Sequence, residues 1–171
     1  MKIMVASDIH GSYEHCKMII DKYHELNCDK LLLLGDLLYH GPRNNLPKDY
    51  NPKAVIELLN SEADNILAVR GNCDTEVDQM VLDFPIMAEY IYLISDDTVI
   101  FATHGHKINP DCPPRLPKNA ILLNGHTHVA KDIMMDGYRY MNPGSPSIPK
   151  ENSAPSYIIV ENGKAELMKF N

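Results

Sequence analysis

The chain of 171 residues has 44% apolar and 23% charged side chains and a formal charge of −7. Those proportions exclude a disordered, collagen-like or coiled-coil chain, and the length suits one domain over residues 1–171 that buries about two thirds of its unfolded surface. The acidic balance argues against nonspecific binding to long nucleic acid or to an anionic membrane, since both need excess Lys and Arg.

Residues 3–7 read as a buried strand that starts without a signal-peptide pattern. Helix-period residues follow over 13–26, with Ser12 placed to cap them and His15 at the third position. Residues 30–34 form a second apolar run, and residues 35–51 a long loop of the kind that often carries function. Asn51 suits an N-cap and Pro52 a first helical turn, so a second helix is expected over 52–60. Strand and helix alternate through this half, which predicts βα units and a parallel sheet.

The second half changes character. Residues 88–94 and 99–103 flank Ser95-Asp96-Asp97; residues 133–135 and 138–141 flank Asp136-Gly137; residues 158–161 and 165–170 flank Asn162-Gly163. Each is a hairpin signature, so antiparallel strands are expected. The proline-rich segment 110–117 reads as a surface connection. A mixed two-sheet α/β sandwich is the simplest architecture. No apolar run approaches the ~20 residues that span a bilayer. Cys16, Cys28, Cys73 and Cys112 form no Cys-x-x-Cys pair, so a cytosolic protein with reduced thiols is expected.

Five apolar runs stop at residue types that bind metals: Asp8 and His10 after IMVAS, Asp36 after LLLLG, Asn72 after ILAVRG, His104 after VIFAT, and His126 with His128 after AILLNG. Singly, each has an ordinary explanation as a turn cap or a hydrogen-bonded core side chain. Together they read as one site, because strand ends of an open α/β sheet converge on a crevice. Alternation about Ile9 and about Thr127 predicts that Asp8 with His10, and His126 with His128, point the same way from extended backbone. Carboxylate, imidazole and amide oxygen suit first-row divalent ions, and the lack of thiolate argues against a structural zinc site.

Asp8-Ile9-His10, Gly35-Asp36, Gly71-Asn72-Cys73-Asp74, Thr103-His104-Gly105-His106 and Gly125-His126-Thr127-His128 resemble the five signatures of calcineurin-like metallophosphoesterases. More narrowly, SDIHG at 7–11, HGPRN at 40–44, RGNCD at 70–74 and NPGSPSIPK at 142–150 are similar to YfcE-type phosphodiesterases. The resemblance covers residue 1 to about residue 157. It implies an α/β sandwich of two packed mixed sheets flanked by helices, an α/β/β/α arrangement. It also implies a dinuclear centre in which Asp8, His10, Asp36 and His128 hold one metal, while Asp36, Asn72, His104 and His126 hold the other. Asp36 would bridge, and Asp36, Asn72 and His104 would form the catalytic core. Manganese is the first choice of ion, with nickel, iron(II), zinc and magnesium as alternatives. The implied reaction is hydrolysis of a small phosphodiester by a metal-bridging hydroxide.

Many relatives place a His where Cys73 stands, to protonate the leaving oxygen. A thiol is a poorer acid, which points to diesters with good leaving groups. Arg43 is the candidate phosphate grip. His106 is expected to touch substrate or orient another ligand, Asp74 to cap a following helix in preference to hydrogen-bonding a ligand, Arg70 to be structural, and Ser145 and Ser147 to act as donors in a rigid loop. His15 and His24 are expected to face solvent. Two rivals stand beside the diesterase: a non-catalytic scaffold like the vacuolar sorting subunits similar to this family, and a phosphomonoester or phosphoprotein phosphatase. Homo-oligomerisation stays open.

Overall fold

Strands that are covered on both faces need near-continuous apolar runs, and the chain supplies them early. In the computed structural model, which describes residues 1–170, the first half runs β1 (Lys2–Ala6), α1 (Tyr13–Glu25), β2 (Lys30–Leu33), α2 (Pro52–Asn60), β3 (Ile66–Ala68) and the single turn α3 (Glu76–Gln79). The second half runs β4 (Ile91–Ser95), β5 (Thr98–Ala102), β6 (Ala120–Leu123), β7 (Lys131–Met134), β8 (Tyr138–Asn142), β9 (Ser156–Glu161) and β10 (Lys164–Lys169). Two five-stranded sheets result, ordered β10-β9-β1-β2-β3 and β4-β5-β6-β8-β7. β1, β2 and β3 are parallel, as are β5, β6 and β8, while β4, β7, β9 and β10 join antiparallel.

The sheets pack face to face. Strand alternation places Ile3, Val5, Leu32, Leu34, Ile100 and Leu123 in the layer between them. The opposite face of the first sheet, with Met4, Ala6, Leu31 and Leu33, packs against Ile19 and Tyr23 of α1 and Val55 and Leu59 of α2. On the outer face of the second sheet, Phe101, Leu122 and Tyr140 are covered by Ile108 and Leu116. The expected layered sandwich is therefore present, with its fourth layer supplied by the segment 103–119 instead of a helix. The prolines of that segment explain the difference, since they withhold donors and block helix interiors.

Local chemistry accounts for most element ends. The Asn51 side chain accepts from the Ala54 N–H, and Pro52 opens α2 as expected. Asn162 and Gly163 both take positive φ, 50° and 71°, the geometry a two-residue hairpin demands. Ser12 differs from expectation. It precedes α1, but its hydroxyl donates to the Lys48 carbonyl (2.6 Å) and meets His15 Nδ1 (2.7 Å) instead of capping the helix. His15 is accordingly half-buried, while His24 is exposed as expected. The strand expected from residue 88 begins at Ile91, because the Ala88 carbonyl is taken by the Arg70 N–H (2.8 Å). Among the described residues, no helix is long and apolar enough to cross a membrane.

Leu32 on β2 is fully buried in the layer between the sheets. Leu32→Ala should cost about 2–5 kcal/mol of unfolding free energy in urea titration; a loss below about 1 kcal/mol would show that the inter-sheet layer is not the main core.

Candidate metal centre

All seven expected donors meet at one edge of the sandwich. Asp8 and His10 follow β1, Asp36 follows β2, Asn72 follows β3, His104 follows β5, and His126 and His128 follow β6. The strand ladders continue past the strand ends into these turns: the Asp8 N–H donates to Gly35 O (3.0 Å), His10 N–H to Asp36 O (3.0 Å), and Gly125 N–H to His104 O (2.8 Å). Bonds also cross between the sheets, among them that from the His126 N–H to Asp8 Oδ2 at 2.9 Å.

The turns are not extended. Asp8, His10, Asp36, His126 and His128 all have positive φ, between 52° and 66°. This corrects the alternation expected about Ile9 and Thr127: the paired side chains converge through left-handed backbone. Such residues cost of order 1–3 kcal/mol each and persist where the surroundings over-determine them. Gly71 and Gly125 permit the close approach, since a side chain at Gly71 would collide with Asp36 and one at Gly125 with Ser7 and Asp8.

Hydrogen bonds fix which imidazole nitrogen faces the site. His10 Nδ1 lies 2.7 Å from the Tyr39 carbonyl, His104 Nδ1 2.7 Å from the Leu34 carbonyl, and His128 Nδ1 2.8 Å from the Ile148 carbonyl. A carbonyl only accepts, so each Nδ1 carries a proton and each ring turns Nε2 toward the site, where it offers a lone pair when the ring is neutral. Those Nε2 atoms then crowd one another. His10 Nε2 is 3.1 Å from His128 Nε2, and both lie near Asp8 Oδ1, at 3.7 and 3.4 Å. His104 Nε2 is 3.0 Å from Asn72 Oδ1, 3.2 Å from His126 Nδ1 and 3.5 Å from Asp36 Oδ2. Asp36 Oδ2 also lies 3.7 Å from His10 Nε2.

Lone pairs facing lone pairs at these distances need a positive charge among them. Asp8 Oδ1 is buried and has no hydrogen-bond partner among the described residues. Protons compensate in part. Burial disfavours the His104 cation, but Asp36 and Asp8 outweigh it and raise its pKa to about 9. Burial would raise Asp8, yet the imidazoles of His10, His128 and His104 hold it well below the usual carboxylate range. The donor set, with hard oxygens and imidazoles in an electron-rich pocket, fits divalent cations.

Asp74 does not take the favoured role of helix cap but the alternative one, hydrogen-bonding the backbone of the expected ligand Asp36 and bracing the site. Its buried carboxylate accepts from the N–H groups of Asp36 (2.8 Å), Leu37 (2.9 Å) and Gly71 (2.7 Å). The cap of α3 is local: Asp78 accepts from the N–H and hydroxyl of Thr75. Arg70 is structural, its Nε donating to the Asp74 carbonyl at 3.2 Å. Ser145 and Ser147 are donors, both to the Asp8 carbonyl, at 2.7 and 3.1 Å. His106 stands beside the cluster, its ring 5.3 Å from that of His104, but bonds to none of the other donors.

A cleft of about 360 Å³ opens onto the cluster. Asp36, Asn72, Cys73, His126 and His128 form its floor, and Arg43 and Lys150 stand in its walls. Cys73 donates its N–H to Asp36 Oδ1 (2.8 Å), and its Sγ accepts from the Asn72 amide (3.2 Å). Burial, reinforced by the charge of Asp36, pushes the Cys73 thiol up to about 12. Lys150 was not assigned a role from the sequence. It follows the Pro/Gly-rich loop by one residue, which was the available signal.

Residues 1–164 match the calcineurin-like phosphoesterase superfamily domain. The chain is 42% identical over 171 residues to "Phosphodiesterase YfcE" of Escherichia coli strain K12, covering 100% of this chain and 93% of that protein. The solved structure of the E. coli phosphoesterase Yfce superposes with a TM-score of 0.97 at 42% identity, covering 100% of this chain and 94% of that one. A vacuolar sorting protein 29 variant from Entamoeba histolytica aligns over 100% of both chains with a TM-score of 0.64 and 19% identity, a likeness of fold alone. The donor cluster and these matches together place the chain in the calcineurin-like phosphoesterase superfamily.

Proposed function

We propose that residues 1–171 form one domain acting as a dinuclear metal-dependent phosphodiesterase. The observation that carries the reading is the position of Asp36: its Oδ2 lies between His10 Nε2 (3.7 Å) and His104 Nε2 (3.5 Å), which belong to two separate groups of donors. Asp8, His10, Asp36 and His128 would hold one ion, and Asp36, Asn72, His104 and His126 the other. Manganese is the preferred ion, with nickel, iron(II), zinc and magnesium as alternatives for the same donors. When bound, two divalent ions would lower the pKa of a shared water and neutralise charge on the phosphoryl oxygens.

The residues do the remaining work. Three backbone N–H bonds hold Asp74 rigid beneath the Asp36 turn, so Asp36 is fixed before any ligand arrives. The Tyr39, Leu34 and Ile148 carbonyls hold three imidazoles in a single tautomer. Arg43 stands in the cleft, where its planar guanidinium suits phosphate oxygens. His106 lies farther back and takes a supporting place at the edge of the cluster. Cys73 lines the cleft with a thiol held neutral by burial first and by the carboxylates around it second. A neutral thiol of high pKa gives up its proton poorly to a departing alkoxide, so diesters with stable leaving groups are favoured. Four free cysteines accord with a reducing compartment and a cytoplasmic location.

Metal-stripped protein should be inactive on bis(p-nitrophenyl) phosphate and regain activity on adding Mn²⁺, Ni²⁺, Mg²⁺ or Zn²⁺ in turn; inactivity with every ion would favour the scaffold reading. Asp36→Asn should abolish hydrolysis and reduce the metal content of the purified protein, and full activity with full metal would refute the bridging role. Cys73→His should raise the rate on an aryl monoester relative to an aryl diester by about tenfold or more. An unchanged ratio of the two rates would remove Cys73 from any account of selectivity.

A further inference from the structure

The walls of the cleft carry two cations that no carboxylate among the described residues neutralises. Arg43 and Lys150 are both exposed and both line the cleft. Of the sixteen Lys and Arg side chains, seven stand within 4 Å of a carboxylate among the described residues, namely Lys2, Lys17, Lys22, Lys48, Lys107, Arg70 and Arg139, and of the other nine Arg43 and Lys150 are the two that line the cleft. Arg43 and Lys150 have no carboxylate partner among the described residues. Among the described residues, the sole acidic side chain lining the cleft is Asp36, which belongs to the donor cluster. In a protein of net charge −7, two unpaired cations over an electron-rich cluster make a local positive wall, which attracts and orients anions.

The two cations are held in register with the cluster. The segment bearing Arg43 takes the His10 imidazole on the Tyr39 carbonyl (2.7 Å), and its turn is closed by bonds from Asn44 to the carbonyls of His40 (2.8 Å) and Gly41 (3.3 Å). The Lys150 N–H donates to the His128 carbonyl (3.0 Å), and the Lys150 carbonyl accepts from the Ser153 N–H (2.9 Å). Among the described residues, no Phe, Tyr or Trp lines the cleft, so it offers no Phe, Tyr or Trp stacking platform for a base.

We propose that Arg43 and Lys150 form an anion clamp that reads a second negatively charged group on the substrate, beyond the phosphodiester that is cleaved. This rests on the diesterase reading of the same site and narrows it to diesters with an arm bearing a phosphate or carboxylate. The scissile phosphate lies at the donor cluster, and the second anion is gripped by the guanidinium and the ammonium in the wall. Neutral or cationic arms find no counter-charge there.

The test is isothermal titration calorimetry of the manganese-loaded protein with two probes, propyl phosphate and 1,3-propanediol bisphosphate. The bisphosphate should bind about tenfold or more tightly than the monophosphate, the scale of one charge-assisted hydrogen bond. The advantage should shrink with added NaCl and vanish in the Arg43→Gln/Lys150→Gln double variant, whose substitutions are exposed and leave the core intact. Equal affinities in the wild type, or an advantage that survives in the double variant, would overturn the clamp. Hydrolysis of bis(p-nitrophenyl) phosphate by the same preparation separates the two claims: turnover with equal affinities refutes only the clamp, and an affinity gap without turnover refutes only the diesterase.

Discussion

Electron-rich atoms forced together at one edge of the sandwich are the constraint on which this structure is organised. Four imidazoles, two carboxylates and an amide oxygen approach to between 3.0 and 3.7 Å. Three of the imidazoles have already committed their other nitrogen to a backbone carbonyl, so they cannot relieve the crowding by exchanging tautomers. Left alone, such a cluster opposes folding, because buried lone pairs without donors are costly. The rest of the chain holds it in place nonetheless.

The means of doing so are distributed. Backbone ladders run beyond the strand ends into the donor turns, so that each turn is an extension of a sheet. Five donors take left-handed backbone, which only a well-packed surround sustains. Asp74 fastens the turns after β2 and β3 to each other, and Ser145 and Ser147 fasten the turn after β1 to the loop after β8. The inter-sheet layer holds both groups of donors together, since each draws on both sheets: Asp8, His10, Asp36 and Asn72 come from one and His104, His126 and His128 from the other. Stability spent at the site is recovered in that layer.

Much of this was legible in the residues. The five apolar runs ending in Asp, Asn or His located the side chains that meet at the edge of the sandwich, because strand periodicity and metal-binding residue types are both local properties. The hairpins at Asn162-Gly163 and Asp136-Gly137 were legible for the same reason, since turn chemistry is written in two residues. Features that depend on two distant segments were not. Asp74 looked like a helix cap because its partners, the N–H groups of Asp36 and Leu37, lie nearly forty positions earlier in the chain. The sign of φ at Asp8 and His10 is set by their fit against the turn after β2, which no local pattern announces. The segment 103–119 covers a sheet face without a periodic signal, and Lys150 gains significance only once the fold sets it across from Arg43.

The identity of the nitrogen that each imidazole turns toward the site is the most direct consequence of this account. His10, His104 and His128 face the cluster with Nε2, while His126 faces it with Nδ1, 3.2 Å from His104 Nε2. Nitrogen-15 NMR of the zinc-loaded protein with labelled histidine resolves the two ring nitrogens through their long-range proton couplings. The account predicts metal ligation at Nε2 with a protonated Nδ1 for His10, His104 and His128, and the reverse for His126. Imidazoles that remain unligated, or four that share one ligating nitrogen, would contradict it.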